Sequence, residues 1–122
     1  MSKADDMQTR TEAFADLSIQ FVQGLPKTLI AQRMGTQFLE ASTSVATNYR
    51  AARRGRSYAE FASKLGVVSE EADESVFWLK RFKNANIVGA IAVDSLLAEP
   101  EELARIFGAS AHTARRRRRR RE

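Results

Sequence analysis

The sequence predicts an all-α protein, folded as an antiparallel up-down-up-down four-helix bundle. Three observations predict this fold. Apolar residues recur at spacings of three and four in four separate segments, the period of a helix face. The 122 residues include only two prolines and six glycines, too few for a turn-rich β-sandwich. Ala, Glu, Arg and Leu, all good helix formers, are abundant.

The first helix is predicted from a stripe at spacings of 3, 4 and 4, formed by Phe14, Leu17, Phe21 and Leu25. It ends at residues 24–26, because Pro26 cannot continue the hydrogen-bond ladder. Residues 1–8 are polar and aperiodic, which predicts a flexible N-terminal arm.

Thr28 is the predicted N-cap of the second helix. The apolar stripe of this helix consists of Ile30, Met34, Phe38, Ala41, Val45 and Tyr49. Gly55 ends the helix, and Ser57 with Glu60 forms a capping box that begins the third helix. A glycine stop followed directly by a capping box predicts a short reversal between antiparallel helices.

The third helix has the most regular repeat, formed by Tyr58, Phe61, Leu65, Val68, Ala72, Ser75, Leu79 and Phe82. Additional apolar residues lie outside this seam, more than one buried stripe requires. We therefore expect an oligomer interface at Val76, Phe77 and Trp78.

The fourth helix allows two interpretations. It begins near Asp94 and kinks at Pro100, or it begins with Glu99 as cap and Pro100 as its first residue. The predicted bundle covers residues 9–114, and an arginine-rich C-terminal tail covers residues 115–122.

The positive charge is local. The whole chain has a net charge of +5, whereas residues 1–114 alone have a formal charge of −1. There are no cysteines, no apolar leader at the N-terminus and no run of about 20 apolar residues. We expect a cytoplasmic protein.

No catalytic constellation is present. Neither a cysteine nucleophile, a Ser-His pair nor a glycine-rich phosphate loop is found. Glu70, Glu71 and Glu74 suggest a metal site, but His112 is the only histidine and no Glu-x-x-His motif exists. We predict a protein that is not an enzyme and has neither a metal nor a cofactor.

Small polar residues in the second helix suggest a contact with the third. We expect a structural polar pair between Asn48, with Ser44 beside it, and the carboxylate of Glu71, because buried polar groups are normally paired. A small-molecule site is the alternative.

Two groups of basic residues are candidate nucleic-acid contacts. The first group lies around the reversal between the second and third helices and consists of Arg50, Arg53, Arg54, Arg56 and Lys64. Guanidinium groups suit phosphate, and the neighbouring Tyr49 is a candidate for stacking on an unpaired base. A solvated helix end is the alternative interpretation.

The second group is a run of consecutive arginines, Arg115, Arg116, Arg117, Arg118, Arg119, Arg120 and Arg121. If every one contacted a phosphate, the slope of log K against log salt would be about −6. Such contacts position a protein but read no sequence. The alternative is a solvated terminus without a partner.

Several blocks of the chain resemble a known family. These blocks are residues 25–27 (LPK), 42–53 (STSVATNYRAAR), 59–61 (AEF), 64–68 (KLGVV), 70–74 (EEADE) and 78–79 (WL). They resemble the four-helix-bundle proteins encoded in intervening sequences of bacterial 23S rRNA genes, over about residues 10–115. Gly55 and Pro100 depart from the family pattern.

The resemblance implies a homopentameric bundle without catalytic residues. A similar pentameric bundle is the accessory protein of diversity-generating retroelements, where it binds nucleic acid and partners a reverse transcriptase. Our leading hypothesis is a homo-oligomer that binds RNA or DNA through phosphate contacts. The alternative is an oligomeric scaffold that docks a protein partner, with its arginines solvated.

Overall fold

Four α-helices make up most of residues 2–121, the part of the chain that the computed structural model describes. They are α1 (Lys3–Gln23), α2 (Leu29–Arg53), α3 (Tyr58–Asn84) and α4 (Ala90–Arg121). Loops of four or five residues join them, so that consecutive helices run antiparallel. α2 packs on both α1 and α3, and α4 packs mainly on α3. The predicted all-α four-helix bundle is confirmed.

α1 begins earlier than the sequence predicted. Ser2 caps it through a capping box, in which the amide of Asp5 donates to Ser2 Oγ and the amide of Ser2 donates to the Asp5 carboxylate. The first turn also packs on α2, where Tyr49 Oη donates to the carbonyl of Ala4 at 3.3 Å. The prediction of a flexible arm over residues 1–8 is therefore wrong for residues 3–8, which are helical, while Met1 lies outside the described residues.

The buried face of α1 differs by one position from the predicted stripe. Thr11, Phe14 and Ser18 are buried, whereas Leu17 is 51% exposed. Ser18 fits the interior because its hydroxyl donates to the carbonyl of Phe14 at 2.8 Å. Ser18 thus takes the buried place that the sequence predicts for Leu17.

α2 is capped as predicted, with Thr28 Oγ1 accepting from the amide of Ala31 at 3.2 Å. Its buried face, however, begins at Ala31 and Gly35, and Ile30 is 64% exposed. A Cβ on Gly35 would lie only 2.7 Å from Leu25 Cδ1. The start of α2 therefore packs closely against the end of α1, and small residues make that approach possible.

The reversal between α2 and α3 lies where the sequence predicted it. α2 ends at Arg53, and Ser57 Oγ accepts from the amide of Glu60 at 3.1 Å. The other half of the predicted capping box is not formed, because the Glu60 carboxylate accepts no bond from Ser57. Gly55 keeps the turn tight, since a Cβ there would lie 3.2 Å from the carbonyl of Ala52.

The long repeat of α3 is confirmed from Leu65 to Phe82, whereas Tyr58 and Phe61 are half-buried. Its buried residues include Leu65, Val68, Ala72, Ser75, Leu79 and Phe82. The polar Ser75 is tolerated because its hydroxyl donates to the carbonyl of Glu71 at 2.9 Å. At the end of α3 that lies away from the reversal between α2 and α3, Phe82 packs edge-on against Phe21 and Phe38, with ring centroids 5.3 and 6.2 Å away.

α4 agrees with the first of the two predicted alternatives in that it includes Pro100, but it starts earlier than predicted. It begins at Ala90, before Asp94, and passes through Pro100 without ending. Proline in a helix interior removes one backbone hydrogen bond and costs about 3 kcal/mol. Pro100 is fully buried, so packing of this long helix on the core offsets the local cost. The helix then continues through the predicted tail as far as Arg121.

Candidate nucleic-acid interface

Arg53, one of the candidate phosphate contacts, is bound to α1. Its guanidinium group donates to the Asp5 carboxylate at 2.9 Å and to the side-chain oxygen of Gln8 at 2.5 Å. This interaction lowers the pKa of Asp5, chiefly through the hydrogen bond from Arg53 and then through the bonds to Ser2. Arg53 therefore holds the first turns of α1 on α2.

Tyr49, the residue proposed to stack on a base, does not present its ring to solvent. It is 6% exposed, and its ring lies 5.0 Å from that of Phe107 in α4. Burial raises the pKa of its hydroxyl. The prediction that Tyr49 stacks on an unpaired base is wrong, because the ring belongs to the core between α2 and α4.

The remaining basic residues of the reversal are more accessible. Arg50, Arg54 and Arg56 are exposed, and Lys64 is half-buried on α3. Arg50 and Arg54 line a shallow cleft together with Arg53 and Gln8. No ion pair neutralises Arg50, Arg54 or Arg56 within residues 2–120. This arrangement gives a cationic surface around the cleft.

The arginine run continues α4 past the core. Ala111 and Ala114 are buried, and the arginines from Arg115 to Arg120 are exposed. Successive residues of a helix are turned by about 100°, so these side chains point in all directions around the axis. Arg115 lies against α3, where its guanidinium approaches the position of a Cβ on Gly66 to 3.6 Å.

The length of α4 carries the arginines past the start of α3. Ser69 Oγ donates to the carbonyl of Ala104, which aligns the two antiparallel helices at these residues. Tyr58, the first residue of α3, then lies opposite residue 115 or its neighbours. The rest of α4 extends about 9 Å further, at 1.5 Å per residue.

The antiparallel order places both basic groups at the same end of the bundle. α2 ends, α3 begins and α4 ends there. A single groove at this end is lined by Lys3 of α1, Tyr58 of α3 and Arg117 of α4, among others. We call this end, with residues 50–56 and 115–121, the basic end. Lys3 was missed in the sequence analysis, although the Ser2-x-x-Asp5 pattern is a recognisable helix start.

The predicted polar pair is not formed. Asn48 Nδ2 donates to the carbonyl of Ser44 in its own helix at 2.9 Å. Glu71 lies near Glu40 of α2, whose negative charge is one of the causes that raise the pKa of Glu71. Asn48 is eight residues further along α2 than Glu40, about 12 Å at the helical rise. The prediction failed because Asn48 and Glu71 are at unequal distances from the reversal.

Glu71 instead lies in acidic surroundings. Its pKa is raised, first by partial burial and then by the negative charges of Glu74, Glu70 and Glu40. Within residues 2–121, no group of three or more His, Asp or Glu side chains is arranged to hold a metal ion.

The three residues predicted at an oligomer interface differ in exposure. Val76 is 8% exposed and contributes to the core, so it is not available to a partner. Phe77 is 47% exposed, with the Arg81 guanidinium 5.0 Å from its ring centroid. Trp78 is half-buried, and its buried Nε1 has no hydrogen-bond acceptor in the described part of the chain. Phe77 and Trp78 line an apolar groove with Met34.

No helix among the described residues has the length and apolar character needed to cross a membrane.

A solved structure of similar fold is known. It is a protein of unknown function from the S23 ribosomal protein family of Bacteroides thetaiotaomicron, with a TM-score of 0.78 and 22% sequence identity. The superposition covers 91% of this chain and 99% of that one. No family profile matches the sequence, and no curated protein is significantly similar to it. At this identity the likeness shows a shared fold.

Proposed function

We propose that this protein binds RNA or DNA through phosphate contacts made by its basic end. The observation that carries the proposal is the convergence of two groups of arginines, distant in sequence, at one end of a nearly neutral bundle. The resemblance to proteins encoded in 23S rRNA intervening sequences supports the same kind of partner. A cytoplasmic location is part of the proposal.

The chemistry of the basic end favours the nucleic-acid backbone over the bases. Arginine forks bind phosphate oxygens, and each contact releases condensed counterions, which makes binding sensitive to salt. Arg50 and Arg54 are presented beside a cleft, while the last turns of α4 project past α3. Contacts of this kind hold a strand in place with little discrimination between sequences.

The test is a salt series of binding to a generic rRNA fragment, measured by fluorescence anisotropy. The wild-type chain is compared with a chain that ends at Ala114. We expect the shorter chain to bind more weakly, with a slope of log K against log salt that is smaller by about 0.7–0.9 for each phosphate that the arginine run neutralises in the wild type. Arg33→Ala is a matched control, because Arg33 is an exposed cation near the start of α2, at the opposite end.

The control should bind like the wild type. Absent binding, or binding that does not change with salt in either chain, contradicts the proposal. An equal loss with Arg33→Ala would mean that net charge rather than the basic end is responsible.

A second surface favours association of the bundle with itself. The apolar groove of Met34, Phe77 and Trp78 leaves large apolar side chains in contact with solvent, which is the usual mark of an interaction site. We propose a homo-oligomer, a pentamer by the family resemblance, with this groove in the contact. The alternative function is a scaffold that docks a protein partner there.

Light scattering at micromolar concentration tests the oligomer. We expect an oligomeric wild type and a smaller species for Phe77→Asp, which puts a charge on the groove. Ile91→Asp, at an 88% exposed apolar residue outside the groove, is the control. A monomeric wild type contradicts the proposal.

A further inference from the structure

A groove at the basic end combines an aromatic wall with two cations. It has a volume of about 390 Å³ and lies between α1, α3 and α4. Its lining includes Lys3 from α1, Tyr58 and Phe61 from α3, and Thr113 and Arg117 from α4. Of these residues, the sequence by itself predicts only Arg117 as a nucleic-acid contact.

The wall of the groove is aromatic. The rings of Tyr58 and Phe61 are 5.8 Å apart at an interplanar angle of 41°, and both residues are half-buried. Phe61 also lines an adjoining apolar hollow with Met7 and Ile106. A flat, apolar ring system can therefore contact this wall.

The other sides of the groove are polar. Ser110 Oγ donates its proton to the carbonyl of Ile106 at 2.9 Å, which leaves its oxygen lone pairs as acceptors. Thr113 is exposed and makes no side-chain hydrogen bond within residues 2–120. Lys3 and Arg117 have no ion-pair partner in the same part of the chain.

We propose that this groove seats an unpaired nucleobase, with the phosphate of the same strand on Lys3 and Arg117. The inference rests on the proposed function and specifies its ligand as single-stranded nucleic acid. A base has a planar apolar face and a polar edge, which match the Tyr58–Phe61 wall and the hydroxyl groups opposite. Bases paired in a duplex are stacked on their neighbours and cannot enter such a groove.

The experiment compares three probes of the same sequence: a single strand, its duplex, and a single strand with abasic sites. Tyr58→Leu keeps apolar bulk at the groove but removes the ring. Stacking on one aromatic residue is worth about 1–3 kcal/mol per base, so the lower half of that range corresponds to a loss of about 5- to 30-fold. We expect this loss for the single strand, with binding of the duplex and the abasic strand unchanged.

Two further variants control the result. Tyr58→Phe keeps the ring and should bind the single strand within about twofold of the wild type, far less than the loss expected when stacking is removed. Ile91→Ala removes an 88% exposed apolar side chain near the start of α4, about 39 Å along that helix from Arg117 at 1.5 Å per residue, and should leave binding to all three probes unchanged.

The outcomes separate the two proposals. Equal effects of Tyr58→Leu on all three probes, or no effect on any, would overturn the proposal that the groove seats a nucleobase. Salt-dependent binding of the wild type would still support the proposed function. Failure of the wild type to bind any probe at low salt would overturn the proposed function itself.

Discussion

Glu71 is a carboxylate whose charge the folded structure opposes. Partial burial and the negative charges of Glu74, Glu70 and Glu40 raise its pKa above the ordinary value of 4.5. Among its neighbours, Glu74 lies one turn further along α3 and Glu40 lies across the interface with α2. The charge therefore reduces the stability of the fold at neutral pH.

We expect Glu71→Gln to stabilise the protein at pH 7 by about 0.5 kcal/mol, the size of a like-charge pair one turn apart. The pKa of Glu71 is higher in the folded than in the unfolded state, so the stability gained by the substitution is full above the folded pKa and shrinks as pH falls through it. Below 4.5, the gain vanishes because wild-type Glu71 is protonated in both states. Urea denaturation across this pH range measures the effect. Asp73→Asn, at an exposed position of the same turn, should give no comparable gain, and a destabilised Glu71→Gln at pH 7 would contradict the prediction.

At the scale of elements, α1 and α4 have the least direct contact of the adjacent helices. Arg10 joins them: its guanidinium donates two bonds to Glu99, at 2.6 and 3.1 Å, and lies 3.3 Å from Glu102. These interactions raise the pKa of Arg10, with the hydrogen bond to Glu99 as the largest cause. Both partners are 32% exposed, so solvent weakens the pair without removing it.

A double-mutant cycle of Arg10→Met and Glu99→Gln tests this link. We expect a coupling energy of about 0.5–1 kcal/mol, the upper part of the range for partly exposed pairs, because the bond is bidentate. It should fall at high salt. The exposed pair of Lys83 and Asp94, which makes a single bond at 2.9 Å, should couple less strongly. A coupling energy of zero for Arg10 and Glu99 at low salt would show that this ion pair does not hold α1 to α4.

At the scale of the whole molecule, the antiparallel order of an even number of helices decides where the charge lies. The reversal after α2 and the end of α4 are more than 50 residues apart in sequence but share one end of the bundle. A strand bound to one group of arginines is therefore within reach of the other. Under the proposed function, the phosphate contacts of the two groups would act on one ligand.

We expect the salt slopes of the two groups to add. Replacing Arg50, Arg54 and Arg56 together by alanine should reduce the slope by about 2–3, and combining this change with the chain that ends at Ala114 should sum both reductions. Titration of one rRNA fragment with each variant measures the slopes. If removing either group alone abolishes the salt dependence, the two groups do not contact the strand independently.

Much of this fold was predictable from local patterns. The reversal at Gly55 and Ser57, the cap at Thr28 and the central repeat of α3 all follow from short-range chemistry. The errors in the buried faces of α1 and α2 share one cause, the choice of large apolar over small residues for the core. Ser18 and Thr11 are buried because they bond to their own helix, whereas Leu17 and Ile30 remain exposed.

The candidate site was only half predictable. The arginines are visible in any reading of the sequence, but the roles of Arg53 and Tyr49 are not. Arg53 is bound to Asp5, and Tyr49 is bonded to Ala4, in a segment for which the sequence predicts a flexible arm. A long-range partner in a misassigned segment gives no local signal.

The sequence by itself determined that this is a helical bundle with a neutral body and two basic groups, because helix periodicity, caps and charge are properties of neighbouring residues. Only the tertiary structure decided that α4 passes through Pro100, that Arg53 binds Asp5 of α1, and that both basic groups lie at one end beside the groove that Tyr58 lines. These features depend on packing between helices, whose free energy exceeds the local preferences of single residues.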